Sequence, residues 1–157
     1  MNSHIPGVVF GQLNPRDQHS DDRRDMECYY NGDLEGFPSG QQVKLLKIKQ
    51  SMLLARHSHA YPEWYTVLNE DDVTVFLLRT LDNDPMDQIV RITHGTRLMI
   101  PSRVAHLALC SVGTYLLGVT RDPYDQSADI RYDDFTDQDE ELLRGVLTGS
   151  TALEEYT

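Results

Sequence analysis

The sequence predicts a single all-β domain built as an antiparallel sandwich or barrel. The 157 residues, of which 39% are hydrophobic and 25% charged, suffice for one core of ordinary size. From Gln41 onward, short apolar runs alternate with turn signals, as in a succession of strands. No long amphipathic helix lies between these runs, so βαβ units and a parallel sheet are not expected.

Residues 1–40 are predicted to form an N-terminal arm. Residues 14–40 mix charges of both signs with glycine and proline and show no sustained period. This composition is typical of an irregular segment or a long loop. An arm of this kind is suited to packing on a partner subunit.

Residues 41–120 are predicted to form the β core. The strand-like segments in this range are QQVKLLKIK, EWYTVLN, DVTVFLLRT, QIVRIT, RLMIP, HLALC and TYLLGVT. Clusters of Asn, Asp, Gly and Pro separate several of them, as at residues 82–85 and 112–113, and such clusters are typical of tight turns. The short connections favour antiparallel pairing.

Residues 121–157 are predicted to be a tail of the same domain that carries one short helix. Thr136 and Asp139 have the spacing of a capping box ahead of an apolar stripe that begins at Leu142. The acidic residues 133–141 lack the glycine and terminal glutamate spacing of an EF-hand loop. We interpret them as a solvated face with favourable charges at the helix N-terminus.

Composition narrows the classes of partner and the cellular location. A formal net charge of −11 disfavours nucleic acid as a partner. No apolar run approaches the roughly 20 residues of a membrane span, and the N-terminus lacks the pattern of a secretory signal, so the cytoplasm is the expected location. Cys28 and Cys110 lie far apart in sequence and are expected to stay reduced.

Two histidines and a glutamate share one parity in RHSHAYPEW, residues 56–64. Alternate side chains of an extended strand project from the same face, so His57, His59 and Glu63 are expected to lie together. His106 opens the segment HLALC, and the four residues would then converge from two strands. Neutral imidazoles and a carboxylate suit Fe, Mn, Ni, Co or Zn. The pattern therefore predicts a divalent transition-metal site.

Open coordination positions would determine what such a site does. Four protein ligands on a six-coordinate ion leave two positions for water, oxygen or two donor atoms of a substrate. A four-coordinate zinc ion would be nearly closed by the same four ligands.

Together, the two histidine segments resemble the two motifs of the cupin superfamily. The first motif reads Gly, five residues, His-x-His, three or four residues, Glu, six residues and Gly. The segment SMLLARHSHAYPEWYTVLNE places His57, His59 and Glu63 at these intervals. Ser51 and Glu70 occupy the two glycine positions.

The second cupin motif reads Gly, five residues, Pro-x-Gly, two residues, His, three residues and Asn. Gly95, Pro101 and His106 fit it, whereas Arg103 and Cys110 replace its second glycine and its asparagine. The resemblance covers roughly residues 41–120. It implies a small jelly-roll β-barrel that holds a metal ion in its interior, with the substrate entering at one mouth.

Candidates for acid and base chemistry beside the metal are Tyr61, Tyr65, Tyr115 and Tyr124, because a phenol near a cation can have its pKa lowered. Parity favours Tyr65, followed by Tyr61, as catalytic residues. The alternative for each tyrosine is packing in the core or rim of the barrel.

Three arginines near the histidine segments are candidates for binding an anionic substrate through forked hydrogen bonds. They are Arg56, Arg97 and Arg103, and Tyr115 is a further candidate for substrate contact. The alternative for each arginine is an ordinary surface ion pair.

Three functions are compatible with this pattern. The first is Lewis-acid-assisted isomerisation, epimerisation or elimination of a small oxygen-rich substrate, of sugar or keto/hydroxy acid type. The tail VTRDPYDQSADIRYDDF is similar in texture to the segment after the barrel in cupin isomerases and epimerases of nucleotide-sugar pathways, although those relatives can use their histidines without a metal. The second is a mononuclear non-haem iron dioxygenase, and the third is a non-catalytic cupin that binds a small ligand. A homodimer is expected, because such barrels expose sheet edges that a subunit can cover.

Overall fold

A computed structural model of the chain describes residues 17–31, 42–51, 53–81, 83–122, 127 and 129–152. Within these ranges the secondary structure is almost entirely β. The elements are β1 (Asp17–Ser20), β2 (Arg24–Asn31), β3 (Gln42–Ile48), β4 (Leu53–His59), β5 (Glu63–Val67), β6 (Val73–Thr80), β7 (Asp87–Thr93), β8 (Arg97–Ile100), β9 (Val104–Cys110), β10 (Tyr115–Thr120), β11 (Asp129–Arg131) and α1 (Asp137–Thr148).

The strands form two antiparallel sheets. The first sheet has the order β1-β2-β3-β10-β5-β8, and the second has the order β11-β4-β9-β6-β7. The chain crosses repeatedly from one sheet to the other, because β4 pairs with β9 in the second sheet whereas the next strand, β5, pairs with β10 in the first. This confirms the predicted all-β fold of jelly-roll type with one short helix.

The main core lies between the two sheets. Its side chains come from β3, β5, β8 and β10 on one side and from β4, β6, β7 and β9 on the other. The buried members are Leu46, Ile48, Leu54, Tyr65, Val67, Phe76, Leu78, Ile92, Ile100, Ala108, Cys110 and Leu116. A fully buried leucine, isoleucine or phenylalanine contributes about 1.5–3 kcal/mol relative to the exposed side chain, so this layer is a principal source of stability.

A second apolar layer lies between α1 and the outer face of the second sheet. Leu143 and Val146 of the helix pack there with Leu77, Leu107 and Leu109. Strands β6 and β9 are therefore covered on both faces. This explains why their sequences are nearly continuous apolar runs and do not alternate.

Helix α1 begins and ends as its sequence predicts. The backbone N–H of Thr136 donates to Asp139 Oδ2 over 2.7 Å, and the backbone N–H of Asp139 donates to Thr136 Oγ1 over 3.3 Å. This reciprocal pair is the predicted capping box. Gly149 ends the helix in the left-handed conformation, with φ at 77°. Among the described helices, none is long and apolar enough to cross a membrane.

Part of the predicted irregular arm is a β-hairpin. Residues 17–31 form β1 and β2, and β2 pairs with β3 from Arg24 opposite Ile48 to Asn31 opposite Gln42. The sequence signal for a strand is weak here, because few apolar residues alternate with the charged residues of β2. Pairing with β3 stabilises the strand although its own sequence pattern does not predict it. Residues 1–16 and 32–41 lie outside the described residues, and packing of the arm on a partner subunit stays a prediction.

Candidate metal centre

Three histidines lie on neighbouring strands of the second sheet. His57 and His59 belong to β4 and His106 belongs to β9, where His106 pairs directly with His57. One ring nitrogen from each histidine lies within 4.8 Å of the corresponding atom of the other two. The ring centroids of His57 lie 4.3 Å from His59 and 4.9 Å from His106. Three imidazoles that approach this closely can hold one metal ion.

A β-bulge turns the two histidines of β4 toward the core. Leu54 pairs with Ala108 and faces the core, so strict alternation would place His57 on the opposite face. The register shifts between Ala55 and His57, and one extra residue reverses the alternation. Ala55 and Arg56 both adopt left-handed φ angles, of 72° and 75°. Each left-handed conformation costs about 1–2 kcal/mol for a residue with a Cβ. The bulge is therefore a strained local structure that positions the histidines.

The carboxylate of Glu63 comes from the facing sheet. The chain turns at residues 60–62, so Glu63 begins β5 and does not continue the strand of His59. Its Oε2 atom lies 3.2 Å from Nε2 of His59 and 3.4 Å from Nε2 of His106. The four predicted ligands therefore converge, but from three strands in two sheets and not from two strands.

Two neighbours orient the Glu63 carboxylate. The ammonium of Lys44 lies 3.2 Å from Oε1, and the hydroxyl of Tyr65 donates to Oε2 over 3.2 Å. Gly118 pairs with both Lys44 and Tyr65 in the first sheet. A Cβ at Gly118 would lie 2.8 Å from Lys44 Cε and 3.1 Å from Tyr65 Cε1, so the glycine gives both side chains the space to reach the carboxylate.

Electrostatics keep His57, His106 and Glu63 in their metal-binding protonation states. Burial, reinforced by the neighbouring imidazoles, lowers the pKa of His57 to about 3. Burial likewise lowers the pKa of His106 to about 4, against the opposing effect of Glu63. Burial alone would raise the pKa of Glu63, but Lys44 and His59 outweigh it and hold that pKa well below the usual range. Neutral imidazoles and an ionised carboxylate are the forms that bind metals.

The hydrogen bonding of His106 fits a bound cation. Its Nδ1 atom lies 3.3 Å from the carbonyl oxygen of Val104, so the ring proton is on Nδ1 and Nε2 carries a lone pair. Nε2 is buried, has no hydrogen-bond partner within the described part of the chain, and faces the Glu63 carboxylate. Two electron-pair donors so placed repel each other unless a cation lies between them. A carbonyl that fixes the tautomer of a histidine is also the usual support of a metal ligand.

A cavity of about 330 Å³ opens beside the histidines. Its polar lining includes Arg24 of β2, Gln42 and Lys44 of β3, and Tyr65 of β5. Arg24, Gln42 and Lys44 are not among the site residues predicted from the sequence. Alternation along β3 places Gln42 and Lys44 on the face of Leu46, but that face becomes recognisable only when the apolar layer it joins is known.

The predicted catalytic tyrosines lie at the cluster. Tyr65 lines the cavity, and burial together with the Glu63 carboxylate raises its pKa well above 10. It is therefore a neutral phenol that donates a proton in a hydrogen bond. Tyr61 is buried and stacks on His59, with ring centroids 5.0 Å apart. Their catalytic roles stay predictions, and Tyr124 lies outside the described residues.

The predicted substrate-binding residues are more scattered. Arg56 is half-buried within the bulge, whereas Arg97 and Arg103 are exposed. Tyr115 lies beside Lys47, whose ammonium is 5.6 Å from the centroid of its ring. None of these residues lines the 330 Å³ cavity in the described part of the chain. Their contact with a substrate stays a prediction.

Arg103 occupies a position where the cupin motif has glycine, and it adopts a left-handed φ of 63°. Its backbone N–H donates to the carbonyl oxygen of His59 over 2.8 Å, which ties the turn before β9 to the end of β4. We expect Arg103→Gly to raise the free energy of unfolding by about 0.5–1 kcal/mol, because glycine adopts this conformation without the Cβ clash.

Urea denaturation of the Arg103→Gly variant would measure this effect. Ser102→Gly is the matched control, because Ser102 lies in the same turn and is not among the described residues with positive φ. The control should lose stability by about 0.4–1 kcal/mol, since glycine there only enlarges the entropy of the unfolded chain. Equal effects of the two substitutions would contradict the strain at Arg103.

Comparisons with known proteins identify the fold. No protein-family model and no curated protein sequence matches the chain. Solved structures do match: a variant of oxalate decarboxylase from Bacillus subtilis has a TM-score of 0.63 and 14% identity, over 80% of this chain and 33% of that one. The capsular polysaccharide assembling protein CapF from Staphylococcus aureus has a TM-score of 0.61 and 16% identity, over 76% of this chain and 32% of that one. The chain thus spans about one third of the length of these proteins.

Proposed function

The chain has the cupin fold, and from this premise we propose that it is a metal-dependent enzyme acting on a small oxygen-rich substrate. The observation that carries the proposal is the convergence of three imidazoles, with one ring nitrogen of each within 4.8 Å of the others, inside the jelly roll. The Glu63 carboxylate lies next to two of them. His57, His59, His106 and Glu63 would hold the ion. This donor set suits Fe, Mn, Ni, Co or Zn.

A bound divalent ion would supply Lewis-acid polarisation of a substrate carbonyl or hydroxyl. The protein residues around it have separate tasks. Lys44 holds one oxygen of Glu63 and so fixes the orientation of the carboxylate. Tyr65, a neutral phenol in the cavity wall, holds the other oxygen of Glu63 through its hydroxyl proton.

Apolar side chains keep bulk water from the middle of the cavity. Leu46, Leu54, Phe76, Ala108 and Leu116 line it together with the histidines. Exclusion of water strengthens the electrostatic interactions at the cluster. Such surroundings suit proton-transfer chemistry at a substrate carbon, which supports isomerisation, epimerisation or elimination as the reaction class.

The names of the structural neighbours support a similar range of substrates. One neighbour is an oxalate decarboxylase and another a capsular polysaccharide assembling protein, which supports a small acid or a sugar-type compound here. A non-haem iron dioxygenase is a second candidate, because the same nitrogen and oxygen ligands suit ferrous iron. Homodimer formation and a cytoplasmic location stay predictions.

Elemental analysis of protein purified without added metal tests the proposal. We expect a stoichiometric transition metal, and turnover of hydroxy or keto acids or sugars without oxygen consumption. Oxygen uptake that depends on substrate would favour the dioxygenase. Metal without turnover of any substrate would indicate a binding protein, and metal only at trace level would contradict the metal-dependent proposal.

A further inference from the structure

Among the described residues, three cations line the cavity, and two of them are already paired. Arg23 donates to Asp21 Oδ2 from both Nε and Nη2, over 3.1 and 2.7 Å. Lys44 is paired with Glu63. Arg24 makes no side-chain ion pair with any described residue, and its Nε atom is buried without a hydrogen-bond acceptor. Within the described part of the chain, the Arg24 guanidinium therefore remains at the cavity wall without a paired carboxylate.

The local structure directs Arg24 inward. The Asp21 carboxylate accepts hydrogen bonds from the backbone N–H groups of Arg23 and Arg24, over 2.8 and 3.0 Å, which fixes the start of β2. Arg24 then shares a face of β2 with Met26, and Met26 packs against the main core. Inward orientation of this side chain follows from the alternation of the strand.

The sheet register separates Arg24 from the histidine cluster. Arg24 pairs with Ile48 at one end of β3. Gln42 lies at the other end of β3 and pairs with Thr120 of β10, which also pairs with Glu63 of β5. Leu46 lies between these two ends. The strand register thus places Arg24 and Glu63 toward opposite ends of the cavity wall, with Leu46 as an apolar middle between them.

A half-buried guanidinium whose buried Nε atom has no acceptor among the described residues is costly. Burial and the neighbouring Arg23 lower the pKa of Arg24, yet a guanidinium remains charged at neutral pH. A buried donor without an acceptor costs free energy that a bound anion recovers. A carboxylate matches the forked donors of arginine in geometry and charge.

We infer that Arg24 binds a carboxylate of the substrate that is remote from the atoms held at the histidine cluster. The inference rests on the proposed function and narrows its substrate class to acids with two separated polar ends. One end carries the oxygen donors for the metal site, a short carbon chain lies along the apolar middle, and the distal carboxylate meets Arg24. The cavity volume of about 330 Å³ is near the lower end of ligand pockets, roughly 300–1,000 Å³, and favours such compounds over nucleotide sugars.

Matched pairs of 2-oxo acids test the inference by calorimetric titration of the metal-loaded protein. 2-Oxoglutarate and 2-oxoadipate carry a distal carboxylate, whereas 2-oxopentanoate and 2-oxohexanoate have chains of the same length without it. We expect the diacid of each length to bind at least about tenfold more tightly, equivalent to about 1.4 kcal/mol, as for hydrogen bonds to charged groups. In Arg24→Gln this ratio should fall to about one.

Two variants serve as controls. Arg24→Lys keeps the charge and should retain part of the preference for the diacid. Arg91→Gln removes an exposed arginine of β7 and should leave the ratio unchanged. The inference is overturned by an unchanged ratio in Arg24→Gln, by equal binding of diacid and monoacid to the unsubstituted protein, or by binding of neither. If Arg24→Gln does not fold, the inference is tested by the ratio of diacid to monoacid affinity in the Arg24→Lys variant and in the unsubstituted protein.

Metal content separates this inference from the proposed function. Arg24 does not belong to the histidine cluster, so Arg24→Gln should contain as much metal as the unsubstituted protein. Diacid preference that depends on Arg24 in a protein without metal would support the anion subsite and refute the metal-dependent enzyme. Stoichiometric metal without a diacid preference would support the metal site and refute the anion subsite at Arg24.

Discussion

Replacement of His106 by alanine is expected to reduce metal affinity by at least about 100-fold and to leave the purified protein with metal only at trace level. Loss of a residue that merely supports a ligand already costs roughly 10–100-fold in affinity, and His106 is itself a predicted ligand. Its Nε2 is the buried lone pair that faces Glu63. Elemental analysis and competition with a chromogenic chelator would measure the effect.

His94→Ala is the matched control for this experiment. His94 is exposed and its backbone forms an isolated bridge to Val67, outside the cluster. This variant should keep its metal. Because His106 is fully buried, circular dichroism should establish that the alanine variant folds, and His57→Ala at a less buried position gives a second test. Stoichiometric metal in both ligand variants would refute the assignment.

The strands and the helix were predictable because their signals are local. The apolar runs of β6 and β9 are covered on both faces and are correspondingly long, and the Thr136 capping box lies entirely within four residues. The hairpin β1–β2 was not predictable in the same way. It is stabilised by pairing with β3, a partner that is distant in sequence.

The convergence of the four predicted ligands was predictable from spacing, but its geometry was not. The parity of His57 and His59 holds within β4, yet their orientation toward the core depends on the bulge at Ala55 and Arg56. Neither residue is a glycine, so no residue type marks the two successive left-handed positions. The cavity wall opposite the histidines is formed by residues of β2 and β3, and its composition depends on which of their side chains face inward. For that reason Arg24 was missed, although arginines close to the histidines in sequence were candidates.

The metal-free protein is expected to lose several kcal/mol of stability as the pH falls from 6.5 to about 4. The pKa of His57 in the folded chain is about 3 and that of His106 about 4, below the ordinary value of 6.5. Protons therefore bind preferentially to the unfolded chain once the pH is below 6.5, and stability falls until the folded pKa is passed. Well above pH 6.5 both histidines are neutral in both states and contribute no slope.

The expected size of the acid effect is large compared with total stability. At pH 5, which is about 1.5 units below the unfolded pKa, each histidine costs about 2 kcal/mol at about 1.36 kcal/mol per unit. A domain of this kind is stable by about 5–15 kcal/mol in total. The depressed pKa of Glu63 acts in the same direction at lower pH, because its stabilising contribution is lost as the pH falls below the ordinary value of 4.5.

Urea denaturation of chelator-treated protein at pH 7 and pH 5 would measure the effect, with the slope against urea concentration checked for constancy. His57→Ala removes one of the two imidazoles with a lowered pKa and should reduce the difference in stability between the two pH values by about half, whereas His94→Ala should leave it unchanged. Equal stability at pH 7 and pH 5 would mean that the cluster accepts protons in the folded state. Excess metal should enlarge the difference, because protons and the metal ion compete for the same nitrogen atoms.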